Sequence, residues 1–332
     1  MLISLFYLAS MMISQAKTKP TGAHGIFHEY AIQAITLKGI GKNFGNKRND
    51  YLSVPYYVVG RVVEGIFRSL NNLLERFNRS YWFYLLPSTR RYISIGYYMI
   101  PFGLMTLPLL CKALNIYLKM RVDDFGNGES GSLWAALPFN FFCHIMGFGI
   151  AYLPFMLQKF SWIYQSYSLE FRDAIFYSLI VSSSIIIFNP LVKLNKNSIE
   201  QVKARQCVTL INLALILSCL SLLNISLALF LSILMVPIVY ICVTISNNSL
   251  RKLLSPLVIL IHPLSINYLC LFGLSLWFGS ESDFTVHLKR SYHNYKLTLL
   301  NHLEDWYIHG NWTFFFGSAF LFPVWLQIWS IL

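Results

Sequence analysis

Along most of this chain apolar residues run on without the alternation of a strand or the one-sided stripe of a surface helix. Seven runs, at 92–117, 133–157, 174–192, 206–223, 225–245, 253–278 and 312–332, come near the roughly 20 residues an α-helix needs to cross a hydrocarbon core. Asn224 alone parts the fourth run from the fifth, which predicts a tight hairpin. The chain before residue 92 is patterned differently. Ile66, Leu70, Leu73, Phe77 and Tyr81 recur at helical spacing while Glu64, Arg68, Asn72, Glu75 and Arg79 share another face, predicting an amphipathic helix within 51–91. Glu64 with Arg68 and Glu75 with Arg79 are i, i+4 pairs in the favourable order. That helix leads into Tyr81, Trp82, Phe83 and Tyr84, side chains suited to the boundary between water and lipid. Pro87 is expected to end it, with Arg90 and Arg91 standing before the first apolar run.

Upstream, the pattern predicts an apolar helix at 2–15, a turn at 19–25, a strand over 31–38 and a glycine- and asparagine-rich loop at 39–50. One strand cannot stand alone, so 31–38 calls for a sheet to pair with. The longer connections between apolar runs are 121–132, 194–205 and 279–311, the last mixing Trp306 and tyrosines with charge as an interfacial segment would.

Composition agrees with this membrane reading. Hydrophobic residues make up 56% and charged residues 12%, where a soluble domain carries about a quarter charged. The net charge of +12 sits mainly ahead of Tyr92, with 12 basic and 4 acidic residues there against 14 and 10 after it. No nucleic-acid module accompanies that excess, so nucleic acid is not an expected partner and the charge is read as headgroup contact and topology signal. Lys119, Arg121, Lys193, Lys196, Lys203, Arg205, Arg251 and Lys252 fall on one side of the membrane, and the sparser Lys159, Arg172, Lys289, Arg290 and Lys296 on the other. The denser side is expected to face the cytosol, which puts the N-terminal segment outside it and the C-terminus within it.

The sequence offers little catalytic chemistry. All six cysteines lie inside the apolar runs and predict buried thiols rather than disulfides. Cys143 and His144 are adjacent, but neighbours on a helix point about 100° apart and do not form a dyad. His287, His293, His302 and His309 share one connection at spacings that match no zinc pattern. Asp and Glu are missing from the run interiors, which argues against an ion-coupled transporter. Asn140, His144, Asn212, His262 and Asn267 are expected to bond between helices. Prolines, among them Pro101, Pro108, Pro154, Pro237 and Pro323, recur within the runs, where each removes a backbone bond and can open a groove. The sequons at Asn78, Asn224, Asn247 and Asn311 stand close to the runs. No cofactor or metal is called for.

Four passages in order carry a family resemblance: PTGAHGIFHEYAIQAITLKGI from Pro20, LNNLLERFNRSYWFYLLPSTRRYISIGYYMIP from Leu70, LLNISLALFLSILMVP from Leu222 and FLFPVWLQIW from Phe320. Together they resemble the C-terminal membrane portion of the glycosylphosphatidylinositol (GPI) anchor attachment subunit of GPI transamidase. The resemblance implies an all-α polytopic protein of the endoplasmic reticulum membrane. About seven transmembrane helices at 92–332 would follow an amphipathic interfacial helix at 51–91 and, at 1–50, a small remnant of a lumenal, peptidase-like domain. The first helix and lumenal domain of other family members would lie upstream of Met1, making this chain a C-terminal fragment or the product of an incomplete gene prediction.

In function, the resemblance implies a subunit that is not itself an enzyme. A caspase-like partner subunit would carry the nucleophile, and this chain would help to bind the GPI lipid and present its amine. The family links the proline of its last span to GPI recognition, and Pro323 aligns with it. Trp325, four residues before Trp329 on the same face, and the lumenal approach at His309 and Trp312 complete the expected GPI-binding set. The competing class is a polytopic transporter or channel, which would need charged residues facing a water-filled path.

Overall fold

In the computed structural model, residues 2–16, 22–30, 32, 34, 36–37, 56–71, 84–88, 91–127, 133–160, 162, 165, 170–188, 199–244, 256, 258, 262–278 and 284–331 are described. They fall into two compact units, Pro20–Ile95 and the pair Met1–Lys19 with Gly96–Leu332.

In the smaller unit, helices α2 (His24–Glu29) and α3 (Tyr56–Asn71) precede an antiparallel hairpin of β1 (Tyr84–Ser88) and β2 (Arg91–Ser94). An amphipathic helix forms over Tyr56–Asn71, while 72–83 of the expected one lie outside the described residues. Tyr56, Val59, Val63 and Phe67 recur along α3 and are all exposed, and Glu64 pairs with Arg68 at 2.7 Å. The second expected pair, Glu75 with Arg79, and the aromatic residues 81–83 lie outside the described residues.

Residues 84–94 correct the expectation of a helix broken at Pro87. Leu85 faces Ile93 and Tyr84 faces Ser94, with an irregularity between Leu85 and Ser88. Pro87 falls within that irregularity, where the ladder is interrupted. The strand expected over 31–38 does not form at its described positions: Ile32, Ala34, Thr36 and Leu37 have no regular structure.

In the larger unit, α1 (Leu2–Ala16) and α4 (Ile95–Asn127) are followed by a short 3₁₀ turn at Leu133–Ala136 and α5 (Leu137–Lys159). Next come α6 (Phe171–Phe188), α7 (Ile199–Leu223), α8 (Ile225–Thr244) and α9 (Pro263–Phe278). The unit closes with α10 (Phe284–His309), α11 (Thr313–Phe316), a π-helical turn at Gly317–Leu321 and α12 (Phe322–Ile331). Five stretches among the described residues are long and apolar enough to span a membrane: Ile95–Val122, Leu133–Lys159, Glu200–Leu223, Ile225–Thr244 and Thr313–Ile331. The third and sixth expected spans correspond to α6 and α9, which are not among the five. The described part of α9, 16 residues, is roughly 24 Å long.

All three longer connections are helical at least in part, residues 121–127 continuing α4 to Asn127. Residues 199–205 begin α7, because IEQVKAR is rich in helix formers and opens with Glu200 in the first turn. Residues 284–309 form the whole of α10, whose His287, Ser291, Tyr295 and Leu299 are buried at four-residue spacing. Its polar content hid it, since the stripe facing the bundle is itself partly polar. Gly310, at φ 62°, ends α10, and the Asn311 N–H returns to the Asp305 carbonyl at 3.2 Å.

The α7–α8 hairpin follows expectation. Asn224 accepts the Leu227 N–H through its side chain at 3.1 Å, capping α8, and donates to the Gln15 carbonyl at 2.8 Å. The Ser226 hydroxyl donates to Gln15 Oε1 at 2.6 Å, so the end of α1 is tied to that turn. Asn224 and Asn311 are both buried, so neither sequon offers an accessible amide. The sequons at 78 and 247 lie outside the described residues. Cys143, Cys207 and Cys242 are buried free thiols, whereas Cys111 and Cys219 are free and exposed on this chain taken alone.

Candidate functional site

Pro323 shapes the last helix by what it lacks. A prolyl nitrogen has no hydrogen to give the carbonyl four residues back, which here is Ala319. That carbonyl instead meets His144 Nδ1 of α5 at 3.1 Å. One turn earlier the helix widens: the Phe322 N–H reaches back five residues to the Gly317 carbonyl, the bond that defines the π-turn. Pro323 and Ser318 then press on α5 where it carries Gly147. A Cβ built there would stand 2.6 Å from Pro323 Cγ and 2.5 Å from the Ser318 carbonyl oxygen. Only glycine admits this approach.

With Nδ1 of His144 donating to Ala319, its Nε2 is the acceptor and meets Asn212 Nδ2 at 3.1 Å. Asn212 of α7 also reaches Asn140 Oδ1 at 3.2 Å and Gln327 Oε1 at 3.4 Å, and Gln327 donates to Asn140 Oδ1 at 2.5 Å. Asn140, His144, Asn212 and Gln327 thus form one network joining α5, α7 and α12 inside the apolar bundle. Asn140, His144 and Asn212 bond between helices as their sequence context predicted. Cys143 takes no part, and the Cys143–His144 step supplies no dyad.

The last span also borders a cavity of about 350 Å³. Gly317, Ser318, Leu321 and Phe322 line it together with Ile150 of α5, Leu179 and Ser183 of α6, Leu227 and Leu231 of α8, and Leu299 and His302 of α10. No charged side chain is among the described residues lining it. A volume within the range of small-molecule pockets, with an apolar wall and a few hydroxyl, amide and imidazole groups, suits a lipid chain with a polar shoulder. His262 stands at its edge. Its Nδ1 accepts the Leu264 N–H at 3.2 Å, while Nε2 is buried with no hydrogen-bond partner among the described residues.

The four residues expected to bind GPI are not gathered around this space. Pro323 and Trp325 are buried within the bundle and lie behind the cavity wall rather than on it. Trp325 is 1% exposed, donates its indole N–H to the Val258 carbonyl at 2.8 Å, and packs edge to face on His262 with ring centres 4.5 Å apart. Its ring stacks on Trp329 at 6.0 Å, the partner anticipated from their spacing. Trp312 packs against Phe316 at the start of the span. His309 ends α10, with Nδ1 buried and unpartnered among the described residues. Sequence reasoning missed Gly317, Ser318 and His302 as wall residues; the proline six residues after Gly317 was the one available signal. Asn267, expected to bond between helices, lines the cavity.

Two ion pairs lie between α10 and α6, Arg172 with Glu304 at 2.5 Å and Asp173 with Lys296. The hydrogen bond to Asp173 holds the Lys296 ammonium above its usual range, and burial pushes the Tyr295 hydroxyl up to about 12. The four histidines of α10 are strung along the helix, and among the described residues no three His, Cys, Asp or Glu side chains are grouped to hold an ion.

Residues 3–329 match the family model described as Gaa1-like, GPI transamidase component. The chain is similar to the GPI transamidase component gaa1 of Schizosaccharomyces pombe, 27% identical over 232 residues, which is 69% of this chain and 34% of the relative. It is similar to the GPI transamidase component GAA1 of Saccharomyces cerevisiae at 27% identity over 231 residues, 70% of this chain and again 34% of the relative. The chain therefore matches about a third of the length of these curated relatives.

Proposed function

Because the chain belongs to the Gaa1-like family of GPI transamidase components, we propose that it is a non-catalytic, multi-pass subunit of that complex in the endoplasmic reticulum membrane. Its task is to hold a GPI lipid and present the lipid's amine to a caspase-like catalytic subunit, which attaches it to protein C-termini. The observation that carries the lipid part is the cavity beside Gly317, apolar, uncharged and walled on one side by the last span. Pro323 and Trp325 act on it from behind. The proline opens the π-turn that forms the wall, and the tryptophan fixes the helix against His262. His309 and Trp312 belong to the approach from the lumen.

In this reading α6 and α9 also cross the membrane, giving seven crossings, a lumenal N-terminal segment and a cytosolic C-terminus. Helix α3 rests its exposed Tyr56, Val59, Val63 and Phe67 at the lumenal interface.

Lipid co-purified with the assembled complex tests the proposal. Pro323→Leu gives residue 323 an N–H that competes with His144 for the Ala319 carbonyl, closing the π-turn. Reduced GPI recovery from a complex that still assembles is the expected result. Unchanged capture and unchanged assembly would remove the last span from the site.

A further inference from the structure

A second cavity, of about 260 Å³, lies between α5, α6 and α10 and has a different character. Its lining is mostly apolar, with Pro154, Phe155, Ile175, Leu300 and Leu303, and also includes the two halves of an ion pair. Arg172 donates to Glu304 at 2.5 Å, with the side chains 63% and 43% exposed. An ion pair so open to water contributes little to stability and exchanges partners readily. The Asp173–Lys296 pair holds the same two helices together without it. Arg172 also stands in the first turn of the 18-residue α6, where backbone N–H groups favour an anion. A positive and a negative group side by side in the lining of a mostly apolar slot are complementary to a zwitterion on an acyl chain.

We propose that this cavity takes one chain of a membrane lipid whose headgroup is an ethanolamine phosphate, with Arg172 on the phosphodiester and Glu304 on the primary ammonium. An anionic headgroup would satisfy Arg172 and be repelled by Glu304; a cationic one would do the reverse. The same chemistry occurs in phosphatidylethanolamine and in the ethanolamine phosphate of a GPI lipid. Only the second source rests on the function proposed above, and the cavity is separate from the one beside Gly317.

The test is photolabelling of the full chain in phosphatidylglycerol vesicles containing a trace of phosphatidylethanolamine with a photoactivatable acyl chain. Label is expected on the peptides carrying Phe155 or Leu300 to Ile308. Unlabelled phosphatidylethanolamine or a purified GPI precursor should compete, the stronger competitor identifying the source, while phosphatidic acid and diacylglycerol should not. Replacing the pair by Arg172→Leu with Glu304→Leu should reduce labelling by about tenfold. Since that variant could lose the fold, the reversal Arg172→Glu with Glu304→Arg keeps an ion pair yet sets a carboxylate where the phosphate belongs, and it should lose label too. Full labelling of the reversed variant, equal competition by phosphatidic acid, competition by neither ethanolamine lipid, or label on other peptides would each overturn the assignment.

Discussion

Gly147 and Pro323 stand so close that one added carbon does not fit between them: a Cβ on residue 147 would lie 2.6 Å from the proline Cγ. The Ser318 carbonyl, at 2.5 Å from the same point, closes the other side. Neither neighbour is the far end of a flexible side chain. Gly147→Ala must therefore push the last span away from α5, and overpacking of this kind costs about 1–3 kcal/mol. Gly149, two residues on, has nothing within 4 Å of its Cβ position, and Gly149→Ala should be neutral or slightly stabilising. Thermal unfolding of the detergent-solubilised chain compares the two; a Gly147→Ala protein as stable as Gly149→Ala would refute the close packing.

The amide network makes a second prediction. Asn212 serves Asn140, His144 and Gln327 together, so Asn212→Leu leaves three partners poorly satisfied in an apolar bundle. Interhelical hydrogen bonds in membranes are worth about 0.6–2 kcal/mol. The coupling between Asn212→Leu and Gln327→Leu, read from a double-mutant cycle, should be of that size, with the double variant less destabilised than the sum of the singles. Additive losses would mean that the two side chains act independently.

Lys296 gives a prediction in pH. Its pKa is raised in the folded chain, chiefly by the hydrogen bond to Asp173. The stabilisation is complete below the ordinary lysine pKa, near 10.4, and is lost as pH climbs through the raised value. No change is therefore expected from this pair near neutrality. Tyr295, pushed up to about 12 by burial, stays neutral through most of that window. Thermal stability measured from pH 8 upward should fall more steeply in the wild type than in Lys296→Met; parallel curves would remove the pair from the account.

The apolar runs were legible because lipid or a surrounding bundle demands them at every position, and five of the seven coincide with helices of spanning length. The α7–α8 hairpin was legible from Asn224 alone. Helix α10 was not, because its buried stripe includes His287 and Ser291, side chains that satisfy each other's neighbourhood through Ser275 instead of looking apolar. The Tyr84–Ser94 hairpin was hidden by its position between an amphipathic helix and a membrane run. Within the site, Pro323 could be singled out in advance, but its effect depends on Gly147 and His144, more than 170 residues away. No local pattern announces such a contact. The cavity wall at Gly317 and Ser318 follows from the π-turn, which only the three-dimensional path reveals.

Gly317 is where a lipid cavity walled by the last span can be blocked. It lines the cavity, has helical dihedrals and has nothing within 4 Å of its Cβ position, so Gly317→Leu puts a side chain into the space without disturbing its neighbours. The measurement is the GPI lipid recovered per chain from the assembled complex, quantified by mass spectrometry for the wild type and for Gly317→Leu. Normal assembly with lipid reduced by about tenfold is expected. Equal lipid on an equally assembled complex would contradict it.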